Sequence, residues 1–451
     1  MTSISAAEQS DVHGKALAIN LEGSIYGTLA EIGAGQEVAR WFLSVGAASG
    51  TVAKTISAYD KTVSDEIYGA GTRYVSKKRL LAMLDHEYDL LLTRLNAIRG
   101  TDKLFFVFAD TVATRNFEGT NQQHGWVGIR FQTRPGSEPS QILLHINLCD
   151  STALGQQQAV GILGVNLIHA AFHRREDIDC LLEGVFEELT TARVEIDVIE
   201  VDGPAFRQHD GNEWCLTLLY RKMARAVVFG ENDGPIEPSS ILRKRPLLVM
   251  RGTCQHPELL NPALLQTANR KLVGEGVRLE RDPMAVVEMS IHHVDASAAP
   301  PAAAMLQCLD RITPHCPMIV SDLPETYLLS QYLRRHSREP VRFVMSIAAA
   351  ARIMQEAFYR DLPGTLLEGL GKLLSTNVKL YVAPMPRQAL LSALRDLSGN
   401  IPLKASASGV VGLDDLALSG PARHLFDYLR ASGRVVELME PGVGGTVPVA
   451  A

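Results

Sequence analysis

The sequence predicts a mixed α/β protein: an α+β first half with a mixed or antiparallel sheet, and a second half built on a doubly wound, mostly parallel sheet. Three observations predict it. The first half sets a long helical stripe beside three consecutive strand-like runs joined by a turn-rich connector. The second half alternates continuously apolar strands with helices, the pattern of βαβ units covered on both faces. The composition, 46% hydrophobic and 21% charged over 451 residues, is that of a globular chain of about two to three domains.

Taken in order, residues 1–14 read as a loose tail and residues 15–230 as the α+β domain. Glycines crowd the stretch from Ala16 to Gly69. A helix is expected over Gln36–Val45, then a strand or short helix over Val52–Ala58. Ser76 is placed to cap a helix over Lys77–Ile98, where Leu80, Leu81, Leu84, Tyr88, Leu91, Leu92 and Leu95 recur at three and four and mark one apolar face. Strands are expected at Leu104–Ala109, Trp126–Gln132 and Gln141–Leu148. Helices follow at Gln156–His173 and Asp177–Leu189, and Arg193–Val201 alternates as a strand does.

The domain boundary is expected in Gly230–Ser240, where Gly, Asp, Pro and Ser cluster. A Rossmann-like domain then covers residues 241–440, with strands at Pro246–Arg251, Ala285–Ile291, Pro317–Val320, Val341–Ser346 and Val378–Val382. The helices between them are expected at Pro262–Leu272, Ala302–Ile312, Glu325–Arg335, Ala349–Tyr359 and Leu366–Leu374. The Ala/Pro-rich stretch Ala296–Ala304 reads as a loop within this domain, and residues 441–451 as a second loose tail.

The composition also excludes classes of function. A net charge of −6 offers no overall basic field for phosphates, so nucleic acid is not an expected partner. Cys149, Cys180, Cys215, Cys254, Cys308 and Cys316 form no CxxC pair and read as reduced thiols, which points to the cytoplasm. The polar N-terminus is no secretory signal, and no run approaches the roughly 18 apolar residues of a membrane span.

Several phrases carry a resemblance. They are Ile25-Tyr26-Gly27-Thr28 leading into the run Glu31–Arg40, Ala53-Lys54-Thr55, Ser57-Ala58-Tyr59-Asp60, the run Ser64–Gly69, His124-Gly125-Trp126 with Gly128-Ile129-Arg130-Phe131, and the run Gly164–Ile168. In the second half Tyr332-Leu333-Arg334-Arg335, Leu366-Leu367-Glu368-Gly369 and the run Asn377–Val382 add to it. Together they resemble a family of uncharacterised bacterial cytosolic proteins of about this length, whose members carry the labels TonB-dependent receptor or nicotinamide-nucleotide adenylyltransferase. Neither label fits these residues. A receptor needs a signal peptide and a many-stranded barrel, and an adenylyltransferase of the nucleotidyl-transferase type needs a His-x-Gly-His turn near its start. The resemblance therefore implies no particular chemistry. Arg251–Pro257 and His292–Ala296 depart from the family.

The leading candidate site is the run Glu31-Ile32-Gly33-Ala34-Gly35, which opens directly into the first helix at Gln36. Glycines at a helix start let the backbone approach a ligand, and the free amides there attract anions. The same string is similar to the first motif of adenosylmethionine-dependent methyltransferases, in which case Asp60 holds the ribose. The plainer account is a tight turn with close helix packing. Lys54, Asp60 and Asp65 offer an ammonium and two carboxylates for a metal-phosphate or for acid–base work. Their plainer account is a turn and a helix cap.

His124 and Arg130 fall on one face of one strand and together suit an anion. The plainer account pairs Arg130 with a carboxylate. His169 and His173 have metal-ligand spacing on a helix, although a buried and a surface histidine side by side is the commoner arrangement, and no metal is expected. His292-His293, Ser321-Asp322 and Ser346 lie at strand ends, where open sheets bind ligands.

The binding of a nucleotide or another phosphorylated small molecule is the leading function, with catalysis left open by the residues. A non-catalytic homo-oligomeric assembly or scaffold protein is the alternative, and an adenosylmethionine-dependent methyltransferase a further one. A homo-oligomer is expected. The residues name neither a cofactor nor a catalytic group.

Overall fold

The computed structural model describes residues 11–207, 210–231, 234–252, 262–293, 301–394, 409–418 and 420–438. The chain is mixed α/β and forms two units that part between Arg225 and Ala226. In the first unit come α1 (Val12–Leu21), β1 (Ile25–Ile32), α2 (Glu37–Ser44), β2 (Val52–Ile56), α3 (Lys61–Tyr68), α4 (Lys77–Arg99) and β3 (Leu104–Ala113). They are followed by β4 (His124–Phe131), β5 (Ser140–Leu148), α5 (Ala153–His173), α6 (Ile178–Phe186), β6 (Val194–Asp202) and α7 (Gly211–Tyr220).

The first sheet has the order β2-β1-β3-β4-β5-β6. β2, β1 and β3 run parallel, and β4, β5 and β6 continue antiparallel. α4 covers one face. Ser76 Oγ accepts the Arg79 amide at 3.2 Å, and Leu80, Leu84, Tyr88 and Leu91 pack with Tyr26, Phe105, Val107 and Trp126. On the other face α5 packs against α1, α2 and α6.

Two sequence expectations are corrected here. No strand is among those expected before Glu31, yet β1 lies there between β2 and β3 and is buried along all but its last residue. Gly27 and Thr28 hide it from a propensity reading. The glycine is required by close packing, since a Cβ there would lie 2.3 Å from the Phe106 carbonyl oxygen. Residues 11–14, taken as tail, are tied down. The Asp11 carboxylate caps α1 by accepting the Gly14 amide at 2.6 Å. One helical turn on, the fully buried Lys15 donates to Asn166 Oδ1 at 2.6 Å and pairs with Glu187.

The second unit opens with β7 (Ala226–Phe229), β8 (Pro235–Ile236), α8 (Pro238–Leu242), β9 (Leu247–Gly252), α9 (Pro262–Gly274), β10 (Met284–Ser290), α10 (Pro301–Ile312) and β11 (Met318–Ser321). It continues with α11 (Thr326–His336), β12 (Val341–Ser346), α12 (Ile347–Ile353), α13 (Thr365–Leu373) and β13 (Val378–Ala383). β14 (Met385–Pro386), α14 (Arg387–Leu394), β15 (Val410–Val411), α15 (Gly420–Ala431) and β16 (Val435–Glu437) complete it.

Its main sheet has the order β16-β13-β12-β9-β10-β11-β7-β8. The strands from β16 to β11 are parallel. Counted along the chain they give the doubly wound order 3-2-1-4-5-6, with its switch point between β9 and β12. β7 and β8 add an antiparallel edge, so Ala226–Phe229 belongs to this sheet and not to the domain before it. α10 agrees with the helix expected at Ala302–Ile312 and takes in Pro301–Ala304 of the stretch also read as loop; residues 294–300 and 441–451 lie outside the described residues. Among the described residues no helix is long and apolar enough to cross a membrane.

Candidate functional site

One edge of the first sheet gathers the polar groups. It holds the carboxyl ends of β1, β2 and β3, and the antiparallel pairing brings the start of β4 beside the end of β3, with Ala113 opposite His124. The end of β5 and the start of β6 reach the same edge, Asn147 pairing with His124 and Glu195. From β1 the chain goes to β2 on one side and then to β3 on the other. The β1–β3 seam is therefore a switch point, the position at which open α/β sheets bind ligands.

The glycine turn lies at this seam. Gly33 has φ 102° and a Cβ there would fall 1.8 Å from the Val112 carbonyl oxygen, so no other residue fits. Gly35 has φ 82° and faces open space, its nearest neighbour being Glu37 Cγ at 4.0 Å. Thr114 Oγ1, on the loop after β3, donates to the Gly33 carbonyl at 3.4 Å.

The front of α2 differs from the sequence expectation. Its amides are not free: Glu31, buried at the end of β1, accepts from Val38 N at 3.0 Å and from Ala39 N at 2.9 Å. The anion that a helix N-terminus attracts is supplied by the chain itself. Gln36 is the N-terminal flanking residue and makes no side-chain cap. The turn amides of Ala34, Gly35 and Gln36 carry no protein partner among the described residues.

Glu31 pairs in register with Asp110 of β3. Asp110 is fully buried; its Oδ1 accepts the Ile32 amide at 3.1 Å and its Oδ2 has no partner among the described residues. Burial pushes the Glu31 carboxyl up to about 7 against the pull of the backbone amides of Ala39, Val38 and Glu37. Burial, and then the charge of Glu31, push Asp110 well above the carboxylate range. With these helix amides and the helix dipole Glu31 is the better anion of the pair, so Asp110 is the member held neutral.

On the α4 face of the same edge, three strands contribute a chain of polar side chains. His124 Nδ1 lies 3.0 Å from His145 Nε2. His145 Nδ1 lies 2.5 Å from Asp197 Oδ1, and Asn147 Nδ2 donates to Asp197 Oδ2 at 2.6 Å. All but Asn147 are buried. The Trp126 ring stands 5.2 Å from the His145 ring, and buried Glu195 pairs with Arg225 at 2.7 Å.

The other expected residues are not brought together. Lys54 pairs with Glu87, which also accepts from the Tyr68 hydroxyl at 3.0 Å. Asp60 Oδ1 caps α3, accepting Thr62 N at 2.9 Å and Val63 N at 3.1 Å. That use takes the carboxylate away from the ribose role a methyltransferase would give it. Asp65 accepts from Arg79 and from the Tyr74 hydroxyl, both at 2.8 Å. His124 and Arg130 do share a face of β4, but Arg130 binds Asp85 at 2.6 Å and Gln141 at 3.1 Å instead of a common anion with His124. His169 is half-buried and pushed down to about 3 by desolvation, while His173 reaches Glu22 at 3.4 Å.

In the second unit, the strand ends that sequence reasoning favoured are internally engaged. Glu288 of β10 accepts from Arg251 Nε at 2.6 Å and from Ser321 Oγ at 2.5 Å. His292 Nε2 meets Asp322 Oδ1 at 2.5 Å. Ser346 Oγ caps α12 at 3.2 Å.

Sequence reasoning missed Glu31 as a helix cap and missed Asp110, His145, Asn147 and Asp197 altogether. A signal existed for some of them. His124 and Trp126 alternate in β4 as His145 and Asn147 do in β5, polar positions on one face of apolar strands. Which of those faces meet depends on register, which no single strand shows.

No family model matches the sequence, and no curated protein matches it. Among solved structures the chain is similar to the competence/damage inducible protein CihA from Agrobacterium tumefaciens, at 18% identity over 38% of this chain and 98% of that one, TM-score 0.28. It is also similar to a competence or damage-inducible protein from Enterobacter asburiae, at 14% identity over 36% and 98%, TM-score 0.26. A competence-damaged protein (CinA) superfamily protein from Escherichia coli matches at 12% identity over 36% and 90%, TM-score 0.25. At such scores the likeness says nothing of activity.

Proposed function

We propose that this chain binds a nucleotide or a similar phosphorylated small molecule over the β1–β3 seam. The observation that carries the reading is the switch point itself, where the loops following three parallel strands meet at one edge. The phosphate lies on the turn amides of Gly35 and Gln36 and not on the helix amides that Glu31 holds, with the exposed Arg115 on the loop after β3 as a source of positive charge. Tyr59 and Phe117, exposed on the loops after β2 and β3, offer apolar ring faces to a base. The β3–β4 loop is held in shape for this by its own amides: Asn121 Nδ2 donates to the Thr114 carbonyl at 2.7 Å, and Asn116 Oδ1 accepts the Thr120 amide at 3.0 Å.

The test is a melting-temperature screen of the full chain with AMP, ADP, dinucleotides, adenosylmethionine and inorganic phosphate. A ligand at a hundred times its Kd stabilises the folded state by about 2.7 kcal/mol. A nucleotide is expected to raise the melting temperature, and Gly35→Val, which fills the open side of the turn, is expected to abolish the rise. Strain at the positive φ lowers the variant's own stability by about 1–2 kcal/mol, short of unfolding it. A nucleotide shift that survives Gly35→Val, or none at all, overturns the proposal.

The internal filling of the α2 front favours a second reading, in which this edge is purely architectural and the chain is a non-catalytic homo-oligomer or scaffold. Light scattering on the eluted protein separates the two, because that reading requires a defined particle larger than the 49.2 kDa chain and no ligand shift. Adenosylmethionine alone raising the melting temperature would favour the methyltransferase instead.

A further inference from the structure

We infer that His124 and His145 form a binding site for a divalent transition-metal ion, zinc(II) or nickel(II), on the face of the sheet opposite Glu31. The inference stands apart from the nucleotide proposal and uses none of its residues. His124 Nδ1 and His145 Nε2 face each other at 3.0 Å. Two imidazoles on one ion each lie about 2.0–2.1 Å from it, so the nitrogens need to part by only a few tenths of an ångström.

The tautomers follow from the partners. Asp197 takes the proton on His145 Nδ1, which leaves the lone pair of His145 Nε2 pointing at His124. Asn147 in turn fixes the second carboxylate oxygen of Asp197. A carboxylate behind a coordinating histidine is the usual outer shell of a metal site; it orients the ring and raises its basicity. A cation here also meets the charge of Asp197 in a buried setting, where attraction is little screened. In the metal-free protein the proton shared by the two rings occupies the ion's place. The rest of the coordination sphere is water or other oxygen donors.

The neighbouring histidine pair is a poorer candidate. His169 and His173 stack at 4.7 Å between ring centroids, and the buried Nδ1 of His169 has no hydrogen-bond partner among the described residues to orient the ring.

The structure also supplies a reporter. The chain has three tryptophans, and Trp126 lies against the His145 ring. Chelator-treated full-length protein is titrated with nickel(II) while tryptophan emission is followed, and zinc(II) binding is measured by equilibrium dialysis. One zinc per chain and a saturable nickel quench are expected at pH 7.5, both reversed by excess chelator.

His145→Gln and His124→Gln are each expected to weaken binding at least tenfold, and Asp197→Asn by about 10–100-fold. His173→Gln is expected to leave it unchanged. Trp126→Phe keeps the zinc stoichiometry and loses most of the quench, a result that holds the test open even if a histidine variant misfolds. The inference is overturned by the absence of stoichiometric zinc, by a quench that persists in Trp126→Phe, or by zinc binding that follows His173 instead of His145.

Discussion

Gly33→Ala is expected to abolish the fold of the first unit. The substituted methyl would sit 1.8 Å from the Val112 carbonyl oxygen and 2.9 Å from its carbon, at a φ of 102°. Both contacts are backbone of the neighbouring strand β3, so relief requires β1 and β3 to separate at the seam. Losses above about 4 kcal/mol come from backbone conflicts of this kind, and a domain has only about 5–15 kcal/mol to lose. All three tryptophans, Trp41, Trp126 and Trp214, lie in the first unit, so their emission reports its unfolding by urea. A wild-type midpoint in the variant would show that the turn is not packed as described.

The second large effect concerns pH. Burial raises both Glu31 and Asp110, so the folded unit binds a proton more tightly than the unfolded chain does. For a raised carboxyl the stabilisation is complete below the unfolded value, near 4.5 for Glu31, and is lost as pH climbs through the folded value of about 7. The urea stability of the first unit is therefore expected to fall between pH 5 and pH 8, by up to about 3 kcal/mol. Asp110→Asn keeps an acceptor for the Ile32 amide and removes the competing acid, so it is expected to flatten that slope and to be the more stable form at pH 8. A wild-type slope no steeper than that of Asp110→Asn would contradict the pairing.

Most of the elements were legible because their signals are local. Periodicity marks α4 and α5, continuous apolar runs mark β9 to β13, and Ser76 marks a helix start. β1 was not legible, since Gly27 and Thr28 have low strand propensity and the reason for Gly27 lies in Phe106, about eighty residues on. The site follows the same division. Gly33 and Gly35 announce a turn in the text. That Glu31 would reach forward and fill the helix front is a matter of seven residues folding back, which no motif records. Asp60, Asp65, Lys54 and Arg130 are charged residues near that turn in sequence, and the fold uses each in a cap or an ion pair. The histidine chain is assembled from β4, β5 and β6 by register alone.

The account turns on whether a ligand binds over the β1–β3 seam. Hydrogen–deuterium exchange of the full chain, with and without the nucleotide that gives the largest melting shift, tests this directly. Slower exchange on binding is predicted for residues 33–37 and 114–121 together, with the strands beneath them unchanged. Unaltered exchange in both segments, with protection appearing elsewhere or nowhere, would contradict it.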